Sequence, residues 1–192
     1  MADNLVELHD RCGSRFAALV AGVGSQQWHD DTPCADWDVR ELVHHLQSEL
    51  LWVPPMFDGQ TIEQVGDRFD GDLMGDDATK WADLIASSAR AAHAAVARPG
   101  ALGQAVHLSF GDVDGREYVT QLVADLAIHS WDLARATGQD DALDPHVVAV
   151  LMPWTEANAE LLAGSGMFGE PVATDPGTPD DIRLLGLMGR KA

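Results

Sequence analysis

Apolar residues recur at three- and four-residue spacing along most of this chain, the period of helices that bury one face. From Asn4 to about Val23 the stripe is Leu5, Leu8, Cys12, Phe16 and Leu19, and it stops in Gly22-Val23-Gly24. Clustered polar residues and a proline in Asp30-Asp31-Thr32-Pro33-Cys34 predict a linker from Trp28 to Trp37. Asp36 or Asp38 then caps a second helix whose buried face is Val39, Leu42, Val43, Leu46 and Leu50, and Pro54-Pro55 is expected to end it. Met56 to Gly75 shows glycine and aspartate without period, a long loop or a short irregular element. A third helix spans Asp77 to about Arg98 on Trp81, Leu84, Ile85, Ser88, Ala92 and Ala95, stopped by Pro99-Gly100. Ala105 to Phe110 reads as a short extended run before a turn at Asp112-Val113-Asp114-Gly115. A fourth helix covers Tyr118 to Thr137 and stops at Gly138. A fifth runs from Asp144-Pro145 to about Ala163, with a kink expected at Pro153. Glycine and proline break any period from Gly164 to Ala192, and this tail is expected to wrap the bundle.

One position departs from the pattern. Leu122, Leu126, His129 and Leu133 follow a single helical stripe, so a histidine stands where a leucine belongs. Asp125 lies one turn earlier on the same face. Burying either group alone is costly, so the two must be satisfied by each other, by a further polar group or by a cation. Asp125-x-x-x-His129 is thus half of a candidate metal site. The second helix offers His44-His45 for the other half, neither central to its apolar stripe, and periodicity does not choose between them. Two imidazoles and a carboxylate suit zinc or another divalent ion with a coordination position left open.

Composition narrows the choice of partner. The chain has 192 residues, enough for one well-buried core, and a single domain over 1–192 is expected. Twelve basic residues against 31 acidic ones give a net charge of -19, which repels nucleic acid and anionic lipid. There is no secretory leader pattern and no apolar run long enough for a membrane span, so the expected location is the cytoplasm. Cys12 and Cys34 form neither a disulfide scaffold nor a CxxC knuckle.

Longer motifs carry a resemblance. Trp28, the run Thr32-Pro33-Cys34-x-x-Trp37-x-Val39-Arg40-x-Leu42-x-x-His45-Leu46, the run Asp125-x-x-x-His129-x-x-Asp132-Leu133-Ala134-Arg135-Ala136-Thr137-Gly138, and the closing Phe168-Gly169 with Leu184-Leu185-Gly186-Leu187-x-Gly189-Arg190 resemble the actinobacterial branch of the DinB-like superfamily. That branch is similar to the amino-terminal domain of mycothiol-dependent maleylpyruvate isomerase. The resemblance implies an all-α protein, a DinB-like four-helix bundle with an extra helix and an irregular C-terminal tail. It implies a divalent metal held by His45, Asp125 and His129; the donor chemistry puts zinc first, with nickel, manganese or iron as alternatives. The isomerase has glutamate where this chain has Asp125, and a separate carboxy-terminal domain for which this chain leaves no room, so its reaction is not carried over. Mycothiol is the implied cofactor, a small electrophile the implied substrate, and a homodimer remains open.

Three functions compete: a metal-dependent thiol transferase or isomerase, a metal-dependent hydrolase with Glu49 as base, and a non-catalytic metal- or ligand-binding bundle. No HExxH occurs to support a protease of that kind. The resemblance favours the first. Around the site, Asp132 is placed to orient the His129 ring or to cap or pair elsewhere. His44 reads as a solvated neighbour and Cys34 as a buried, inert thiol, although Cys34 has the alternative of facing the site. Trp28, Trp37, Trp52 and Trp131 suit the core better than a pocket, and Arg40, Arg135 and Arg190 suit surface salt bridges better than substrate. His9, His29, His93, His107 and His146 have no partner that the sequence identifies.

Overall fold

The computed structural model describes residues 2–35, 37–165 and 169–192. Asp36, one of the two expected caps, and Phe168, part of the closing motif, lie outside the described residues. In chain order the elements are α1 (Ala2–Ala21), α2 (Val39–Phe57), α3 (Ile62–Val65), α4 (Trp81–Val96), β1 (Ala105–Leu108), β2 (Gly111–Asp114), α5 (Gly115–Thr137), α6 (Pro145–Ala157), α7 (Ala159–Ser165) and α8 (Asp180–Leu187).

α1, α2, α4 and α5 make the expected DinB-like four-helix bundle, with α1 and α2 each packed against both α4 and α5. Gln47 on α2 donates to Ser88 on α4 at 3.0 Å, and Arg40 lies over Trp81, so those two helices run parallel. His9 beside His93 and Gly13 beside Ala89 set α1 antiparallel to α4. Phe57 beside Tyr118 and His45 beside Asp125 set α2 antiparallel to α5. The expected stripes face inward: Phe16, Leu42, Leu46, Ile85 and Leu133 are completely buried.

α2 begins with a capping box in which Asp38 accepts from the Glu41 N–H at 2.9 Å and Glu41 accepts from the Asp38 N–H at 2.9 Å. It does not end at Pro54-Pro55 as expected; both prolines lie inside the last turn. Proline removes a donor but keeps its carbonyl, and here Asp58 N donates to Pro54 O at 2.9 Å and Gln60 N to Pro55 O at 3.0 Å. Burial of Pro55, Met56 and Phe57 holds that turn against the core.

The segment after α4 also differs from expectation. Asp112 to Asp114 forms β2 rather than a turn, pairing antiparallel with β1 from Ala105↔Asp114 to Leu108↔Gly111. The reversal falls at Ser109-Phe110, and a cross-strand His107–Asp112 pair at 2.8 Å supports the register. Asp114 then caps α5 through the Glu117 N–H at 2.8 Å, and a β-carbon at Gly115 would overlap the Ala101 carbonyl. Nearly every side of α5 is buried down to its left-handed cap at Gly138, φ 69°.

The expected fifth helix passes through Pro153 and divides at Asn158, whose side chain donates to the Trp154 carbonyl at 2.8 Å in competition with the backbone ladder. The irregular tail contains one unforeseen helix, α8, which buries Leu184 and Leu185 and packs on α6. Its eight residues include Gly186, where a β-carbon would crowd the Val172 carbonyl at 2.8 Å. The chain turns at Gly189, φ 79°, hard against Gly169, and so aims Arg190 into the bundle.

Candidate metal centre

α2 and α5 lie side by side and bring His45, Asp125 and His129 together. His45 Nε2 is 3.4 Å from Asp125 Oδ2 and His129 Nε2 is 3.3 Å from Asp125 Oδ1. One donor atom from each residue falls within 4.8 Å of the other two. The Asp125 Oδ2 atom is shielded from solvent and has no hydrogen-bond partner. The spacing around Asp125 and its orphaned oxygen therefore fit a divalent ion shared by two imidazoles and a carboxylate. His44 stays outside the group: its Nε2 lies 2.9 Å from the Gly71 carbonyl oxygen and 3.2 Å from the Leu73 nitrogen and pins the loop before α4.

A buried chain of polar groups fixes the ring of His129. Its Nδ1–H donates to Asp132 Oδ2 at 3.0 Å, leaving Nε2 toward Asp125. Asp132 in turn accepts from Arg190 Nη2 at 2.7 Å and Nε at 3.2 Å, while Arg190 Nη1 donates to the Met188 carbonyl at 2.7 Å. All three residues are buried. Arg190 thus makes an interior clamp rather than the expected surface salt bridge. Arg40 and Arg135 do pair with surface acids, Asp72 at 2.9 Å and Asp141 at 3.1 Å.

The electrostatics follow the geometry. Burial works against the carboxylate of Asp125, yet the facing His129 and His45 outweigh it and hold the group far below its ordinary range. Burial likewise opposes charge on His129, but Asp125 and then Asp132 overcome it and raise this imidazole to about 9. Glu49, one turn beyond His45, is pushed up to about 7 by burial and by Asp125, against the pull of the two imidazoles. Burial, Glu49 and Asp125 lift the Tyr118 phenol well above its usual value, so it stays protonated.

The three residues stand on the wall of a cavity of about 1180 Å³. Trp37 covers them on one side, its ring 4.5 Å from that of His45 and 5.4 Å from that of His129. Trp37 and Trp52 line the cavity while packing against the core, Trp131 is core, and Trp28 packs edge-on against Trp81. Cys34 is half-buried rather than buried and also lines the cavity. Both cysteines are outside disulfides. The Trp37 contacts were missed because tryptophan in a linker carries no period, and the Arg190 clamp because it spans 58 residues of sequence.

Two uncharacterized proteins of Mycobacterium tuberculosis, MT0763 of strain CDC 1551 / Oshkosh and Rv0738 of strain ATCC 25618 / H37Rv, are each 32% identical to this chain over 173 residues, 89% of this chain and 82% of theirs. No solved structure matches it significantly. The family described as the mycothiol maleylpyruvate isomerase N-terminal domain matches residues 9–134, which carry all three converging residues, Trp37, Glu49 and Asp132 but not Arg190. With well over half of its length inside that match, the chain belongs to the mycothiol maleylpyruvate isomerase N-terminal domain family.

Proposed function

We propose that His45, Asp125 and His129 hold one divalent ion, zinc by ligand chemistry, and that the site serves a low-molecular-weight thiol, mycothiol, in a transfer or isomerisation on a small electrophile. The observation that carries this reading is the meeting of two imidazoles and an orphaned carboxylate oxygen in a cavity large enough for a thiol and a second molecule. The family's name supplies the thiol. Bound there, the ion would supply Lewis acidity that stabilises a thiolate near neutral pH. The protein's own part is positional. Asp132 and Arg190 hold His129 with Nε2 toward the cavity, Trp37 keeps water from one side of the two imidazoles, and protonated Tyr118 is available to donate. No described helix is long and apolar enough to cross a membrane, and a net charge of -19 disfavours nucleic acid, so we assign the partners to small molecules.

Metal analysis and cobalt substitution test the reading. The purified chain is expected to carry about one divalent ion, and the cobalt form to gain a sulfur-to-metal charge-transfer band with mycothiol that Asp125→Ala abolishes. An unchanged spectrum at millimolar thiol overturns the thiol assignment. The hydrolase reading keeps one observation in its favour, Glu49 on the cavity wall beside Asp125. Ester turnover without thiol, lost in Glu49→Gln, would put it ahead.

A further inference from the structure

The cavity is charged on one wall and apolar around its mouth. Trp52, Leu108 and Trp154 line it, and Ile62, Phe110 and Leu161 stand at its rim 37%, 62% and 68% exposed. Large apolar groups left this open in a protein with so many charges need an explanation, and all three border the same opening. Phe110 is held there by the tight β1–β2 reversal, and Trp154 is anchored by its indole N–H, which donates to both oxygens of Glu117 at 3.1 Å.

The polar groups of the same cavity point the same way. Its carboxylates are Glu49, Glu117 and Asp125. Among the described lining residues the one permanent cation is Arg190, and its guanidinium is spent on Asp132 and the Met188 carbonyl. Apart from the paired imidazoles and Asp125, a ligand bearing a carboxylate or phosphate would meet two further acids, Glu49 and Glu117, and no unengaged guanidinium or ammonium group among the described lining residues. We infer that the cavity of this chain selects an uncharged, aromatic or otherwise apolar molecule, and that the electrophile it serves carries no acidic group. This inference rests on the thiol-transfer reading only for the word electrophile. There, the thiolate pair forms a carbon–sulfur bond as the carbon–leaving-group bond breaks. The leaving group departs with the electron pair of the broken bond, the thiol proton passes to buffer, and nothing is oxidised or reduced.

Two fluorescent probes that differ by one sulfonate test the selection without thiol. N-phenyl-1-naphthylamine is neutral, and its 8-sulfonate analogue is anionic. Titrated into the metal-stripped full chain, the neutral probe is expected to bind at least about tenfold more tightly, because Glu49 and Glu117 oppose the sulfonate while the His129 imidazole is already paired with Asp125 and Asp132. Phe110→Ser and Leu161→Ser, at exposed positions that folding does not need, should each weaken it about threefold or more. Leu161→Arg should narrow or reverse the preference. Equal or tighter binding of the sulfonate overturns the inference, as does neutral binding that neither serine variant alters. Failure of the cobalt band with a persisting neutral preference would remove the thiol and leave the ligand class standing.

Discussion

Replacing Arg190 with methionine should strike both the stability of the fold and the metal centre. The side chain of Asp132 is completely buried, and Arg190 gives it two hydrogen bonds, at 2.7 and 3.2 Å, and its only cationic partner in permanent charge among the described residues. Methionine fills much of the same volume, so the loss is chiefly electrostatic. A buried carboxylate stripped of its partner costs about 3–5 kcal/mol, in line with two charge-assisted bonds at about 1.5–3 kcal/mol each. For a domain of this size that lowers the melting temperature by about 6–20 °C. The loosened Asp132 also frees the His129 ring, and loss of such a support weakens metal binding about 10- to 100-fold. Thermal melts of the metal-free chain and chelator competition read the two effects. Asp132→Asn combined with Arg190→Met should recover part of the stability, because the uncompensated charge is gone. A single-variant loss below about 1 kcal/mol, or strictly additive effects in the double variant, would refute the buried clamp.

Elemental analysis should find His45→Ala and His129→Ala stripped of metal while His44→Ala keeps it, since His44 serves the loop at Leu73. His9 is buried with neither ring nitrogen hydrogen-bonded, and burial together with His93 lowers its pKa to about 4. Its unfolded form, near 6.5, takes up a proton first, so the stability from neutral His9 is present above pH 6.5 and is lost as the pH falls through about 4. His9→Leu should remove roughly 3 kcal/mol of that acid-limb loss in denaturant titrations at pH 4 against pH 7, and an unchanged slope would contradict the assignment. Cys12 is buried, and burial followed by Asp144 pushes its thiol up to about 12, whereas Cys34 lines the cavity. Iodoacetamide should therefore modify Cys34 well before Cys12, with mass spectrometry reading the order.

The bundle was legible because its stripes are long: residues from Leu5 to Leu19 and from Val39 to Leu50 fall on the core side as their spacing requires. His129 was legible for the opposite reason, as a polar residue inside such a stripe. Short elements were not. Asp112-Val113-Asp114-Gly115 has turn composition, and only pairing with Ala105–Leu108 makes it a strand; α8 has eight residues and a glycine, too few turns for a period to show. Pro54-Pro55 misled because the rule for proline concerns its missing donor, whereas the fold here uses its carbonyl and its bulk. His45 was separated from His44 by family likeness alone, and the geometry now gives each histidine a different neighbour.

The Arg190 clamp also orders events during synthesis. Asp132 emerges 58 residues ahead of the side chain that neutralises it. At roughly 5–20 residues per second that gap is about 3–12 s, during which α1, α2, α4 and α5 already exist and can pair. A bundle assembled in that interval carries an uncompensated acid in its interior and an imidazole with no fixed aim. The segment that follows α5 therefore acts after the first collapse of the helices: its return brings the charge that Asp132 lacks and fixes the aim of His129.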